Sequence, residues 1–268
     1  MRLPGAFFAR NLVERRSLLF QLVRRDFEQR FVGSVIGWVW GIIQPLVLLL
    51  SWTFVFSVCM KIRLGPHEVT QNYPLYLFAG MLPWFLFSDT VQRSSSSLVE
   101  HSNLITKTVF PAEIVPVSVF LSSLVSHLMA LALTVAAVAI VLNQVNGALV
   151  LLPVYMALTG MLAVGLGWIM ASLQVYLRDT AQVLSVILTF WFWLTPIFIT
   201  EDLIPENLRF LIAGNPLAYI VRGYRDILLS LHMPNLSDLG IITAYAVGAF
   251  VAGGLFFRQM KRGFADVL

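Results

Sequence analysis

The chain has 268 residues, 58% hydrophobic and 12% charged, with a mean hydropathy of +0.81 and a net charge of +4. That balance excludes an ordinary soluble globular domain and identifies an integral membrane protein with room for about six helices of roughly 20 apolar residues. No polar run approaches the ~50 residues of a separate soluble domain, and the single cysteine, Cys59, excludes an internal disulfide.

Residues 1–34 are expected to form a cytoplasmic, interfacial arm. Its opening, MRLPGAFFARNLVERR, is not expected to be a cleavable signal, because Glu14 and the arginines interrupt any apolar core. Leu19, Val23, Phe27 and Phe31 recur at i, i+4 and share one helical face, while Arg24, Arg25, Glu28 and Arg30 occupy others. That pattern suits a helix lying in the membrane interface, apolar side down and cations near phosphate. Spans follow at about 35–60, 75–98, 114–142, 148–175, 181–199 and 239–257. With both termini cytoplasmic, thirteen of the 18 Lys and Arg lie inside, as the positive-inside rule requires. The predicted fold is therefore an all-α integral membrane protein of six transmembrane helices with an N-terminal amphipathic interface helix.

The stretch 200–238 is predicted to be a pair of short re-entrant helices in the outer leaflet before the last span. Pro205, Gly214, Asn215 and Pro216 break its apolar run. Asn215-Pro216 reads as an N-cap followed by proline at the first helical position, opening PLAYIVRGYRDILLS. Arg222, Arg225 and Asp226 make that helix a poor lipid-spanning candidate. Small residues spaced by four (Gly33, Gly37, Gly41; Ala163, Gly167, Ala171; Ala244, Gly248, Ala252) mark close helix approaches, either within one chain or at a homodimer seam.

Several chemistries are missing. None of Lys61, Lys107 or Lys261 follows a glycine, so no Walker A phosphate cradle can form, and HExxH, GxSxG and paired-cysteine metal patterns are absent. Of His67, His101, His127 and His232, only His127 lies in a span, beside Ser122, Ser123 and Ser126. There a hydrogen bond to a neighbouring helix is favoured over a proton relay. Three clusters remain. The segment QRSSSSLVEHSNLITKTVFPAEIVP, between spans two and three, carries Leu104, Ile105 and Phe110 as a docking knob or as an ordinary loop. Aromatic side chains recur at Trp38, Trp40, Trp52, Trp84, Phe85, Phe87 and Phe190 to Trp193, as interfacial belt or as a surface on which sugar rings stack. Arg178-Asp179 caps helices or holds the base of a pore.

Taken together, the ordered blocks RRDFEQRFVGSVIGWVWGIIQPL, NLITKTVFPAEIVP, YLRDT, FWLTPIF, NPLAYIVRGYRDILL and RGFADVL resemble the membrane subunit of type-2 ABC exporters over essentially the whole chain. Within that family the chain is most similar to permeases for O-antigen, capsule and teichoic acid. The resemblance implies a single permease domain over 1–268, acting as a homodimer with two cytoplasmic ATPase subunits in the bacterial inner membrane. ATP and Mg would reside on those partners, with no cofactor on this chain, no enzymatic activity of its own and no nucleic acid involved. The substrate implied is an undecaprenyl-pyrophosphate-linked polysaccharide. By the same resemblance, Asn103, Leu104, Ile105, Lys107 and Phe110 in 99–113 would couple to the ATPase. Arg24, Arg25 and Arg30 would hold the lipid pyrophosphate, or only anchor the arm. Trp38, Trp84, Phe190, Trp191 and Trp193 would line the glycan channel. Asn215, Tyr219, Arg222, Tyr224 and Arg225 would belong to the periplasmic gate. The alternatives are a type-2 permease for drugs or lipids, a glycan-modifying membrane enzyme and an ion-coupled transporter.

Overall fold

The computed structural model describes residues 15–30, 34, 36–61, 64, 69–107, 110–143, 146–198, 200–201, 204–230 and 233–267, and every element among them is helical. Residues 1–14 of the arm, Phe31, Gly33, His67 and His232, and the side chains of Trp38 and Lys107, lie outside the described residues. In chain order the helices are α1 (Arg16–Gln29), α2 (Trp40–Thr53), α3 (Tyr73–Glu100), α4 (Ser102–Lys107), α5 (Ile114–Leu142), α6 (Leu152–Tyr176), α7 (Thr180–Leu194), α8 (Arg209–Ala213), α9 (Pro216–Leu229), α10 (Leu236–Met260) and α11 (Phe264–Val267).

Among the described residues, four helical stretches are long and apolar enough to cross a membrane: Trp40–Cys59, Ile114–Leu142, Gly147–Tyr176 and Leu236–Gly263. α2 reaches Cys59 through a widened final turn, Phe54–Cys59. α3 is long, at 28 residues, but Asp89, Arg93, Glu100 and a serine run dilute its hydropathy. α7 is apolar but only 15 residues long. It stops at Leu194, short of the expected 199. Pro196 has no N–H to donate and pushes Thr195 into an extended conformation.

α3 is the hub. Asn72 caps its start by accepting from the Leu75 amide at 3.2 Å. It then packs against α5, α6, α7 and α9, burying Leu77, Leu82, Leu86 and Phe87. α2 is the opposite case, with no buried residue. α1 lies along α5. Its protected face runs through Leu22, with Leu19, Val23 and Phe27 half-buried, so part of the expected lipid-facing stripe meets protein instead.

In lipid there is little hydrophobic gain from helix pairing, so close backbone approach must supply contact. The tightest approach is between α6 and α10, where a Cβ on Gly253 would lie 2.0 Å from the Gly165 carbonyl oxygen. Gly167 meets Ser94 of α3 in the same way, and Ala163 and Ala171 are fully buried beside it. The stripe expected in the last span is displaced. Ala244, Gly248 and Ala252 are exposed, and the packed face is Ile242, Ala246, Gly253 and Phe257. Fourfold spacing alone fixes a stripe but not which side of the helix meets a neighbour.

The stretch read as a re-entrant pair holds two short helices of unequal burial. α8 is a five-residue helix exposed except at Ile212, whereas α9 is inserted among α3, α6 and α10 with most of its side chains buried. Asn215 caps α9 as the sequence predicts, accepting from the Leu217 amide at 3.0 Å, with Pro216 next. The apolar interior divides in two. A large cluster surrounds α3 and α9, and a smaller one unites Leu98, Val115, Trp168, Phe257 and Phe264 at the end where α4 lies.

Candidate functional site

A cavity of about 790 Å³ opens between the end of α1 and helices α2, α3, α5 and α7. One wall is polar, formed by Arg30, Asp89, Gln92, Arg93, Ser123 and Ser126. The other is apolar and aromatic, with Trp40, Leu82, Trp84, Phe85, Leu188 and Phe192. Such a chamber can accept a ligand with a charged or hydroxylated part and flat apolar faces.

The polar wall is a charge-balanced network across three elements. The Arg30 guanidinium donates to Asp89 Oδ2 at 3.0 Å and to Ser123 Oγ at 3.0 Å, and reaches Ser126 Oγ at 3.4 Å. Ser123 itself donates to Asp89 Oδ2 at 2.6 Å. Arg93 pairs with Asp26 of α1 and lies 3.7 Å from Asp89. Asp26 and Arg30 side chains are each only 19% exposed, so these charges need one another. The network ties α1 to α3 and α5. Asp89 and Arg93, one turn apart on α3, were legible as an acid with an i+4 base.

The other two arginines proposed for pyrophosphate lie elsewhere. Arg24 and Arg25 are exposed on α1. Arg24 donates to Glu28 at 2.7 Å, and that hydrogen bond pushes its pKa further up, so it is a permanent cation.

Of the proposed channel aromatics, Trp84 lines the cavity, its ring 5.2 Å from that of Phe192. Phe190 is 67% exposed and points away from the chamber. Trp191 donates its indole N–H to Asn215 Oδ1 at 2.9 Å, which makes it a strut between α7 and α9. Trp193 stacks on Phe198 at 5.2 Å beside Trp52. Consecutive aromatics on one helix point in different directions, and Phe192 is the member of the run that the cavity selects.

The proposed gate residues form structural ties. Arg225 is buried and donates to the carbonyls of Pro196 at 2.8 Å and Ile197 at 2.6 Å, with its guanidinium 3.5 Å from the centre of the Tyr76 ring. It thus satisfies two backbone carbonyls in the turn just beyond α7. Arg222 binds both oxygens of Glu201, at 3.0 and 3.1 Å, and also Asp238 at the start of α10. Tyr219 donates to the Ala213 carbonyl at 2.8 Å. The Tyr224 hydroxyl lies 3.1 Å from His127 Nε2, so the intramembrane histidine is bonded to a neighbouring helix.

At the opposite end, α4 exposes Asn103, while Leu104, Ile105 and Phe110 are half-buried. Ile105 and Phe110 pack against the smaller apolar cluster, so the expected knob is partly turned inward. Asp179 leads into α7 without a side-chain cap, and the Arg178 carbonyl accepts from Gln174 at 2.8 Å.

Comparison with known proteins adds an independent line. The family described as ABC-2 type transporter matches residues 17–229. The chain is 30% identical to the O-antigen export system permease protein RfbA of Myxococcus xanthus, over 96% of this chain and 97% of that protein. It is 25% identical to an O-antigen export system permease protein RfbA of Klebsiella pneumoniae, over 94% of this chain and 95% of the other. It is 21% identical to the polysialic acid transport protein KpsM of Escherichia coli, covering 90% and 92%.

Proposed function

The chain belongs to the ABC-2 type transporter family, and on that footing we propose that it is the permease of an ATP-driven exporter of a lipid-linked, O-antigen-type polysaccharide. The observation that carries this reading is similarity to O-antigen export permeases over 96% of the chain. The six spans are then α2, α3, α5, α6, α7 and α10, with both termini on the cytoplasmic side of the bacterial inner membrane. Two copies act with two separate ATPase subunits, which contact α4. The finer substrate is an undecaprenyl-pyrophosphate-linked glycan. Arg24 and Arg25 meet its phosphates at the surface, and Arg30 stands at the polar wall of the cavity.

The chamber supports this order of events. A diphosphate is matched by guanidinium groups, which bind two oxygens at once. The sugars that follow can slide along Trp84 and Phe192, whose flat faces stack on pyranose rings without fixing one register.

The test is complementation. In a bacterium lacking its own O-antigen permease, this chain with its ATPase restores surface polysaccharide, and without it lipid-linked polymer accumulates inside. A drug or lipid permease predicts no restoration, together with transport that survives Trp84→Ala and Phe192→Ala.

A further inference from the structure

The smaller apolar cluster joins three parts of the chain that the export reading does not otherwise connect. α4 has six residues, too few for a helix to hold itself, so its position is set by what it packs against. Ile105 and Phe110 rest on a cluster whose other side is Trp168 and Ala171 of α6, Phe257 of α10 and Phe264 of α11. α11 touches both α4 and α6. Where the chain leaves α4 to begin α5, Glu113 is buried, and Lys261 Nζ donates to its Oε2 at 2.6 Å. The Trp168 indole N–H donates to the backbone carbonyl of the same Glu113 at 3.0 Å. Further along α6, the Tyr176 hydroxyl donates to the Met260 carbonyl at 3.0 Å, and a Cβ on Gly263 would lie 2.5 Å from that hydroxyl. A lysine that only fixed topology would need lipid phosphate and nothing more. This one reaches a carboxylate that is 6% exposed, a charge that needs a partner where it lies.

We propose that Lys261 to Val267 is a clamp that holds the described parts of the coupling segment, 102–107 and 110–113, against α6 and α10. In it, Lys261 and Glu113 are positioning residues that pass a displacement of α4 into those helices. The role rests on the reading of α4 as the ATPase contact. Without the clamp, α4 moves and the spans do not follow.

The test uses the full chain in lipid nanodiscs, alone and with its ATPase. Lys261→Met makes amide exchange over 102–107 about tenfold faster and leaves the centre of α3 unchanged, because the opening is local. With the ATPase present, hydrolysis continues while polysaccharide moved per ATP falls about fivefold or more. Lys261→Arg restores both, and adding Glu113→Gln to Lys261→Met makes neither worse, since both remove one contact. Unchanged exchange over 102–107, faster exchange throughout the molecule, or hydrolysis and export falling in proportion would each overturn the clamp. If no ATPase accompanies the unmodified chain, the export reading fails, and the exchange measurement alone decides the clamp.

Discussion

Two of the arginine-centred assemblies among the described residues are built on opposite principles. At the cavity, Arg30 and Arg93 share two carboxylates, Asp26 and Asp89, across α1, α3 and α5. At the other assembly, Arg225 is buried and directs its guanidinium to backbone carbonyls at the end of α7 and to the face of Tyr76. A carboxylate partner can be exchanged for another anion, and the first assembly faces a chamber where one could arrive. A backbone carbonyl cannot leave. The first arrangement suits a joint that opens, the second a fixed corner.

That contrast is broken most directly at the corner. Arg225→Met orphans the Pro196 and Ile197 carbonyls and is expected to destabilise the fold by about 3 kcal/mol or more, measured by unfolding in mixed micelles. Gly80→Ala approaches the same effect from the other side, because its Cβ would lie 2.8 Å from the Arg225 guanidinium. At the joint, Asp89→Asn leaves two guanidiniums to one carboxylate and should lose about 1–2 kcal/mol. Adding Arg30→Met should recover part of that loss, a non-additivity read from the same unfolding curves. Arg222→Gln, whose ion pairs are about one-third exposed, should lose only about 1 kcal/mol. The smallest effect belongs to Arg24→Glu with Arg25→Glu. Unfolding and membrane insertion stay unchanged, while export falls. Export unaffected by that double reversal would remove the phosphate role of α1 and leave its arginines as anchors.

Much of the helical framework was legible because its signals are local. α5 spans the expected 114–142 since an unbroken apolar run leaves the backbone no other way to satisfy itself in lipid. The cap at Asn215 was readable from two adjacent residues. The lining of the cavity was not, because it depends on which helices become neighbours. Asp89 meets Ser123 and Arg30 across 34 and 59 residues of chain, and no periodicity reports such a meeting. The aromatic run at 190–193 shows the same limit, since composition marked the cluster but only packing separated Phe192 from Phe190. The charges of α9 marked it as a poor lipid-spanning helix, but not that Arg225 would meet the Pro196 and Ile197 carbonyls or that Arg222 would meet Glu201 and Asp238.

One consequence concerns how the chain is made. On the proposed topology α3 is the second span to emerge, yet it is the one whose polarity argues against leaving the insertion machinery alone. A single acid near the middle of a span opposes insertion by about 2.5–3.5 kcal/mol. The charges that balance Asp89 are Arg93 on α3 itself and Arg30 from α1, already synthesised, while the Ser123 hydrogen bond comes from α5, which is made later. α3 thus enters with its own Arg93 and with α1 at its side, and gains the Ser123 hydrogen bond only when α5 arrives. The order of synthesis thus makes the central helix the last of the early segments to complete its polar contacts, so a change at Asp89 or Arg30 bears on biogenesis as well as on the finished protein.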